Sequence, residues 1–217
     1  MSILYFIILL TNLYDGNLKM ENDSNKLLNI HGVDYLFHMT HIDNLQSILD
    51  QGLYAHNNKY QKVDISDCEV NSRRSREEPI YHKSIHSYVP FYFNPKNNML
   101  SKRRSIQDDI VILILKRELI LSKGALFTDG NASSDATEFS SDIKDLNKLD
   151  WECIYTPRYY SGYHDGGRKR MAEVLVPDYV DPKYIEGIIC NNNNTKSKID
   201  SISDGKYESL VHTNYYF

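Results

Sequence analysis

The sequence predicts a single α+β domain dominated by short strands. Short apolar runs end repeatedly at turn-forming residues, one segment shows clear helical periodicity, and no repeats, heptads or linkers break the chain. At 217 residues it is long enough for one sizeable core and short for two.

The elements follow in order. Ile3–Leu10 is an apolar run, well short of the roughly 20 residues that span a bilayer. It lacks the basic leader and small-residue cleavage site of a signal peptide. Because Met20 opens a polar leader, residues 1–20 read as an extension or a mis-assigned start, and 21–217 as the domain. Tyr35–Met39 reads as a strand. In the helix that follows, Ile42, Leu45, Ile48 and Leu49 share a face, Thr40 is the expected N-cap and Gly52 the stop. Residues 55–87 are polar and read as an irregular loop with one helical turn. VPFYF (89–93) is a strand closed by Asn94-Pro95, and IVILIL (110–115) one covered on both faces. Leu126-Phe127 runs into the turn Thr128-Asp129-Gly130-Asn131, and helix and loop fill 132–150. WECIY (151–155) reads as a strand, Pro157 to Gly167 as a Tyr- and Gly-rich loop, and MAEVLV (171–176) and YIEGIIC (184–190) as strands. An Asn-rich turn at 191–194 leads to a polar tail whose Tyr215–Phe217 reads as an edge strand.

Composition narrows the function only slightly. A net charge of −4 excludes a globally basic nucleic-acid binder, so contact with a polyanion needs local patches. Cys68, Cys153 and Cys190 are odd in number and scattered, which fits neither a disulfide framework nor a zinc site and suits a reducing cytoplasm. The 17 tyrosines offer stackable faces with polar tips, or reflect an A/T-rich genome.

Four constellations could carry chemistry. Glu173 is an ionisable group inside an otherwise apolar strand. Such a residue is either paired, here with Arg168, Lys169 or Arg170, or functional. His38-Met39-Thr40-His41 marks a strand-to-helix junction, where polar groups can grip ribose or phosphate. No cysteine or HExxH spacing supports a metal there. Basic residues dominate Asn71–Arg104, with Arg73, Arg74 and Arg76 at its start; arginine suits diphosphates, although a solvated surface run is the commoner outcome. The loop 155–170 interleaves Tyr155, Tyr159, Tyr160 and Tyr163 with Arg158, Arg168, Lys169 and Arg170. Aromatic and cationic residues mixed in this way hold single strands. No GxGxxG, GxxxxGK[ST] or GxSxG pattern occurs.

Taken together, FHMTHIDNLQSILDQGL (37–53), EVNSRR (69–74), YVPFYFNPKNNML (88–100), VILILKREL (111–119), LFTDGNA (126–132), LDWECI (149–154) and RKRMAEVLV (168–176) resemble the DarT family of DNA ADP-ribosyltransferase toxins. The resemblance covers most of residues 35–190 and leaves out the tail after about Asn191. It implies an ADP-ribosyltransferase-like split β-sandwich with flanking helices, NAD as substrate without a metal, and transfer of ADP-ribose to a base of single-stranded DNA, thymine foremost. By the same resemblance Glu173 and Arg74 are catalytic, and His38, Met39 and Thr40 contact NAD. Arg73 stands as alternative to Arg74 and as a cofactor-binding residue. Tyr155, Arg158, Tyr159, Tyr160, Tyr163 and Arg170 belong to the substrate-recognising stretch. Met171 stands where glutamine is usual, and Asn97-Asn98 where Ser-Pro is common. The implied partner is a macrodomain antitoxin that removes ADP-ribose from DNA, with no membrane involvement. A protein or RNA acceptor and a non-catalytic single-strand-binding module are the competing readings. Met171, where protein-modifying relatives often carry a carboxylate, speaks against the first.

Overall fold

The computed structural model describes residues 23–56, 60–65, 68–156 and 162–217. The expected extension over 1–20 lies outside them. Helix α1 (residues 23–30) precedes β1 (Tyr35–His41), α2 (Leu45–Gln51), β2 (Leu53–Tyr54), α3 (Cys68–Arg73), β3 (Tyr88–Tyr92), α4 (Asn98–Lys102) and β4 (Ile110–Lys116). Then come β5 (Leu126–Thr128), β6 (Phe139–Ser140), α5 (Trp151–Tyr155), α6 (Gly166–Lys169), β7 (Glu173–Pro177), β8 (Tyr179–Val180), β9 (Ile185–Cys190), α7 (Asn193–Ser203) and β10 (Glu208–Val211).

Eight strands form one sheet in the order β10-β9-β4-β1-β3-β7-β5-β6, and β2 pairs with β8 in a separate ribbon. The continuous apolar run of β4 has its reason in this order. Between β9 and β1, its Val111, Leu113 and Leu115 join the larger core under α1, α2 and α7, while Ile110 and Ile112 join a second core on the opposite face.

One contact in the sheet differs from the others. β1 pairs with β4 over seven residues, Tyr35↔Lys116 to His41↔Ile110, and β3 with β7 over five, Tyr88↔Pro177 to Tyr92↔Glu173. Between β1 and β3 the only register pair is Phe37↔Tyr92. Beyond it the strands part, and the sheet splits along the line from His38–His41 on one side to Tyr88–Phe91 on the other.

Four sequence expectations change. Thr40 is not a helix cap: β1 continues through His41, whose Nδ1 accepts from the Asp43 N–H at 3.2 Å to start a short 3₁₀ turn before α2. Gly52 does end α2, with φ +88°; a Cβ there would lie 2.5 Å from the Tyr179 ring and from the Val180 carbonyl. WECIY is helical, because the Asp150 side chain accepts from the Cys153 N–H at 3.1 Å and caps α5. The polar tail folds instead of trailing. Asn192 caps α7, and α7 carries the chain across to β10, which pairs parallel with β9. The edge strand is therefore 208–211 and not 215–217. Tyr216 is buried, its hydroxyl donating towards the Ile110 and Ile189 carbonyls at 2.9 and 3.1 Å.

Candidate active site

Glu173 opens β7 beside the split and is 0% exposed. A carboxylate so placed needs charged or polar donors. The nearby Arg168, Lys169 and Arg170, which the sequence offers as partners if Glu173 is merely paired, do not bond it. Arg168 is spent on Asp129 and Asp165, Lys169 on Asp150, and Arg170 on backbone carbonyls. The partner is Arg74, 99 residues away in sequence, whose Nη1 lies 3.1 Å from both Oε1 and Oε2. The Ala132 backbone N–H donates to Oε1 at 2.8 Å. Arg74 Nη2 is buried with no hydrogen-bond partner. An orphaned donor of this kind costs about 1–3 kcal/mol, and it belongs to a residue that lines a cavity. Of the two adjacent arginines, Arg74 is the one that turns inward, while Arg73 is exposed at the end of α3.

The cavity that Arg74 lines has a volume of about 300 Å³ and occupies the split, within the range of small-molecule sites. His38, Met39, Thr40, Asn44, Arg74 and Tyr92 contribute to its wall. His38 bridges the gap between the parted strands, its Nδ1 donating to the Pro90 carbonyl at 2.9 Å. Burial lowers the His38 pKa against the opposing pull of that bond, so the ring is neutral near pH 7 and Nε2 is an acceptor. Burial, reinforced by Glu173, pushes the Tyr92 hydroxyl well above its ordinary range, so it remains a donor.

Sequence reasoning missed Asn44. Its Nδ2 donates to Thr40 Oγ1 at 3.0 Å and to the Val63 carbonyl at 2.7 Å, and its Oδ1 accepts from the Lys62 and Val63 N–H groups at 2.7 and 2.9 Å. A fully used amide thus fastens residues 62–63 along the cavity. The available signal was the four-residue spacing from Thr40. Also missed was Glu78, 0% exposed, which accepts from the Ile80, Tyr81 and Lys83 N–H groups and from the Tyr88 hydroxyl. It closes the hairpin that carries Arg74 towards β3.

The expected nucleic-acid contacts divide. Arg158, Tyr159 and Tyr160 lie outside the described residues. Tyr155 stacks on Trp151 with centroids 5.6 Å apart, and Tyr163 donates to Glu152 at 3.0 Å. Arg170 departs from expectation: it is 5% exposed and donates to the Lys96, Cys153 and Thr156 carbonyls, because a buried guanidinium in a loop satisfies itself on backbone oxygens. It anchors the loop from behind. Among the described residues no three His, Cys, Asp or Glu side chains are grouped to hold a metal ion, and no helix is long and apolar enough to cross a membrane.

Comparison with known proteins covers most of the chain. Residues 37–217 match the family described as "DarT: ssDNA thymidine ADP-ribosyltransferase", including the tail that the sequence reading left outside it. A DNA ADP-ribosyl transferase of Thermus sp. 2.9 is 32% identical over 154 residues, which are 65% of this chain and 73% of the relative. A DNA ADP-ribosyl transferase–DNA ADP-ribosyl glycohydrolase fusion protein of Thermosipho africanus is 31% identical over 174 residues, 76% of this chain and 44% of the fusion; this chain thus spans less than half of that protein. Among solved structures, Thermus sp. 2.9 DarT in complex with ADP-ribosylated single-stranded DNA superposes with a TM-score of 0.78 at 26% identity, covering 86% of this chain and 97% of that one. The same protein with NAD+ gives 0.75 at 25% identity, covering 85% and 98%.

Proposed function

The chain belongs to the DarT family, and from that membership we propose that it transfers ADP-ribose from NAD to a base of single-stranded DNA, thymine foremost. The observation that carries the site assignment is the buried Glu173–Arg74 pair, in which the arginine lines the cavity and keeps one buried guanidinium nitrogen without a partner. The Thermus structures with NAD+ and with ADP-ribosylated single-stranded DNA support both substrates.

NAD bound in the split supplies an ADP-ribosyl group activated by its nicotinamide leaving group. Glu173, buried immediately behind the Arg74 and Tyr92 lining, provides negative charge for the positive charge that develops on the ribose. Arg74 holds that carboxylate with Nη1, and its guanidinium lends positive charge to the diphosphate or to the base as it loses its proton. The His38 Nε2 accepts from a ribose hydroxyl, while Met39 and Thr40 complete the same strand-end contact. Arg73 adds positive charge at the rim. Tyr155, Arg158, Tyr159, Tyr160 and Tyr163 receive the strand, and Arg170 sets their loop from the inside. Met171, apolar and buried, gives no second carboxylate of the kind that favours protein acceptors.

The physiological reading is a cytoplasmic toxin countered by a macrodomain antitoxin. The Thermosipho fusion, which joins a transferase to a DNA ADP-ribosyl glycohydrolase, supports that pairing. Incubation with labelled NAD and single-stranded oligonucleotides of defined base content tests the whole. Label is expected on thymine-containing DNA, and Glu173→Gln is expected to lower it about a thousandfold. Label on protein instead of DNA would overturn the acceptor, and full activity of the variant would overturn the site.

A further inference from the structure

Arg76 has a role that the basic run around it conceals. Its Nη2 donates to the Ala132 carbonyl at 2.8 Å and to the Ser134 carbonyl at 2.6 Å, and its Nη1 meets the Asp135 carboxylate. Ala132 is the residue whose N–H holds Glu173. Both polar backbone groups of one residue are thus taken, one by the carboxylate and one by Arg76. Arg76 and Arg74 lie on the same rigid arm. The Ile85 N–H bonds the Arg76 carbonyl at 3.0 Å, the His86 N–H bonds the Arg74 carbonyl at 3.1 Å, Glu77 bridges Ser84, and Glu78 fastens the tip. The turn is also gripped from its other side, where Arg168 bonds Asp129 and Thr137.

We propose that Arg76 is a positioning residue that locks the Arg74 arm to the Ala132 turn, so that the two donors on Glu173 form one cradle of fixed geometry. The proposal rests on the reading of Glu173 as the catalytic carboxylate. Without Arg76, Arg74 and Ala132 approach Glu173 from segments with separate motions, and the carboxylate loses its fixed aim. The bonds that matter are those to the two carbonyls. Asp135 is fully exposed, and an ion pair open to water contributes little.

The test is steady-state transfer of labelled ADP-ribose to single-stranded DNA by the full chain, with thermal melting of each variant. Arg76→Ala is expected to lower kcat about tenfold to a hundredfold, the scale of a misplacement near 1 Å. KM for NAD is expected to stay within about twofold. Arg76→Lys, which can reach one carbonyl but not both, is expected to recover part of the loss, and Asp135→Asn to behave as wild type. A raised KM with unchanged kcat would overturn positioning in favour of direct binding. Loss that tracks melting and disappears on cooling would reduce Arg76 to a structural tie and overturn it too. Wild-type kinetics in Arg76→Ala would overturn it outright. If Arg76→Ala is silent while Glu173→Gln is inactive, the Arg76 assignment alone falls; if Glu173→Gln is active, the reading beneath it falls as well.

Discussion

Glu78 and Glu173 are both 0% exposed, yet they are satisfied in opposite ways. Glu78 draws its donors from its own neighbourhood, three backbone N–H groups within five residues and the Tyr88 hydroxyl, and pairs with no cation among the described residues. Glu173 draws on Arg74 and Ala132, 99 and 41 residues distant in sequence, and its cation keeps one nitrogen unspent. The difference separates a carboxylate that shapes a loop from one around which a site is assembled. A saturated local acceptor needs nothing more, whereas a carboxylate held by a partly satisfied cation leaves room for a ligand.

The sharpest way to break this comparison is to neutralise each carboxylate in turn. Glu173→Gln is expected to cost about a thousandfold in transfer and also to lower the melting temperature, because it leaves the buried Arg74 without its counter-charge. Glu78→Gln is expected to lower the melting temperature while leaving transfer nearly unchanged. Placing an amide NH₂ where one carboxylate oxygen accepts two N–H groups costs about 2 kcal/mol, a fall of roughly 4–8 °C in melting temperature for a domain of this size. Equal kinetic losses in both would erase the distinction.

A smaller effect concerns the neutral ring on the split. His38→Gln keeps a polar group but not the Nδ1-donor, Nε2-acceptor arrangement, and is expected to raise KM for NAD about tenfold, through loss of roughly one hydrogen bond.

The smallest effects are in pH. Burial opposes ionisation of Glu78, but the bonds from Tyr81, Lys83, Ile80 and Tyr88 outweigh it and lower its pKa below the usual carboxylate value. Its folded value lying below its unfolded one, the stabilisation is complete above about pH 4.5 and lost as pH falls through the folded pKa. His38 is also lowered, by burial, so the unfolded chain takes up its proton first. That contribution is complete above about pH 6.5, declines below it, and levels once the folded ring protonates. Melting temperature against pH is expected to flatten near pH 4 in Glu78→Gln and near pH 6 in His38→Gln.

The strands were legible because apolar runs bounded by Asn, Pro and Gly leave few alternatives, as in Val89–Phe93 and Ile110–Leu115. WECIY was not, since five apolar and polar residues suit either state and the Asp150 cap decides between them. α7 escaped notice because Ile199 and Ile202 give NNTKSKIDSIS too thin an apolar face. In the site, Glu173 was conspicuous as a charge in an apolar strand. Arg74 enters beside it only through the family resemblance, because nothing but the fold brings residue 74 to residue 173, and pattern alone offers the cations adjacent in sequence. Ala132 acts through its backbone, which no side-chain pattern reveals. Arg170 misled because a basic residue in a Tyr-rich loop looks the same whether it points outward or, as here, inward.

The solitary Phe37↔Tyr92 rung has a mechanical consequence. A sheet joined at one rung behaves as two plates on a single rivet, able to resist sliding but poor at resisting torsion. The His38–Pro90 contact is a light brace across the gap. Whatever fills the slot becomes the missing cross-member. NAD at a hundred times its dissociation constant is therefore expected to stiffen the whole sheet and to add about 2.7 kcal/mol of stability, with slowed amide exchange reaching both plates and not the slot alone.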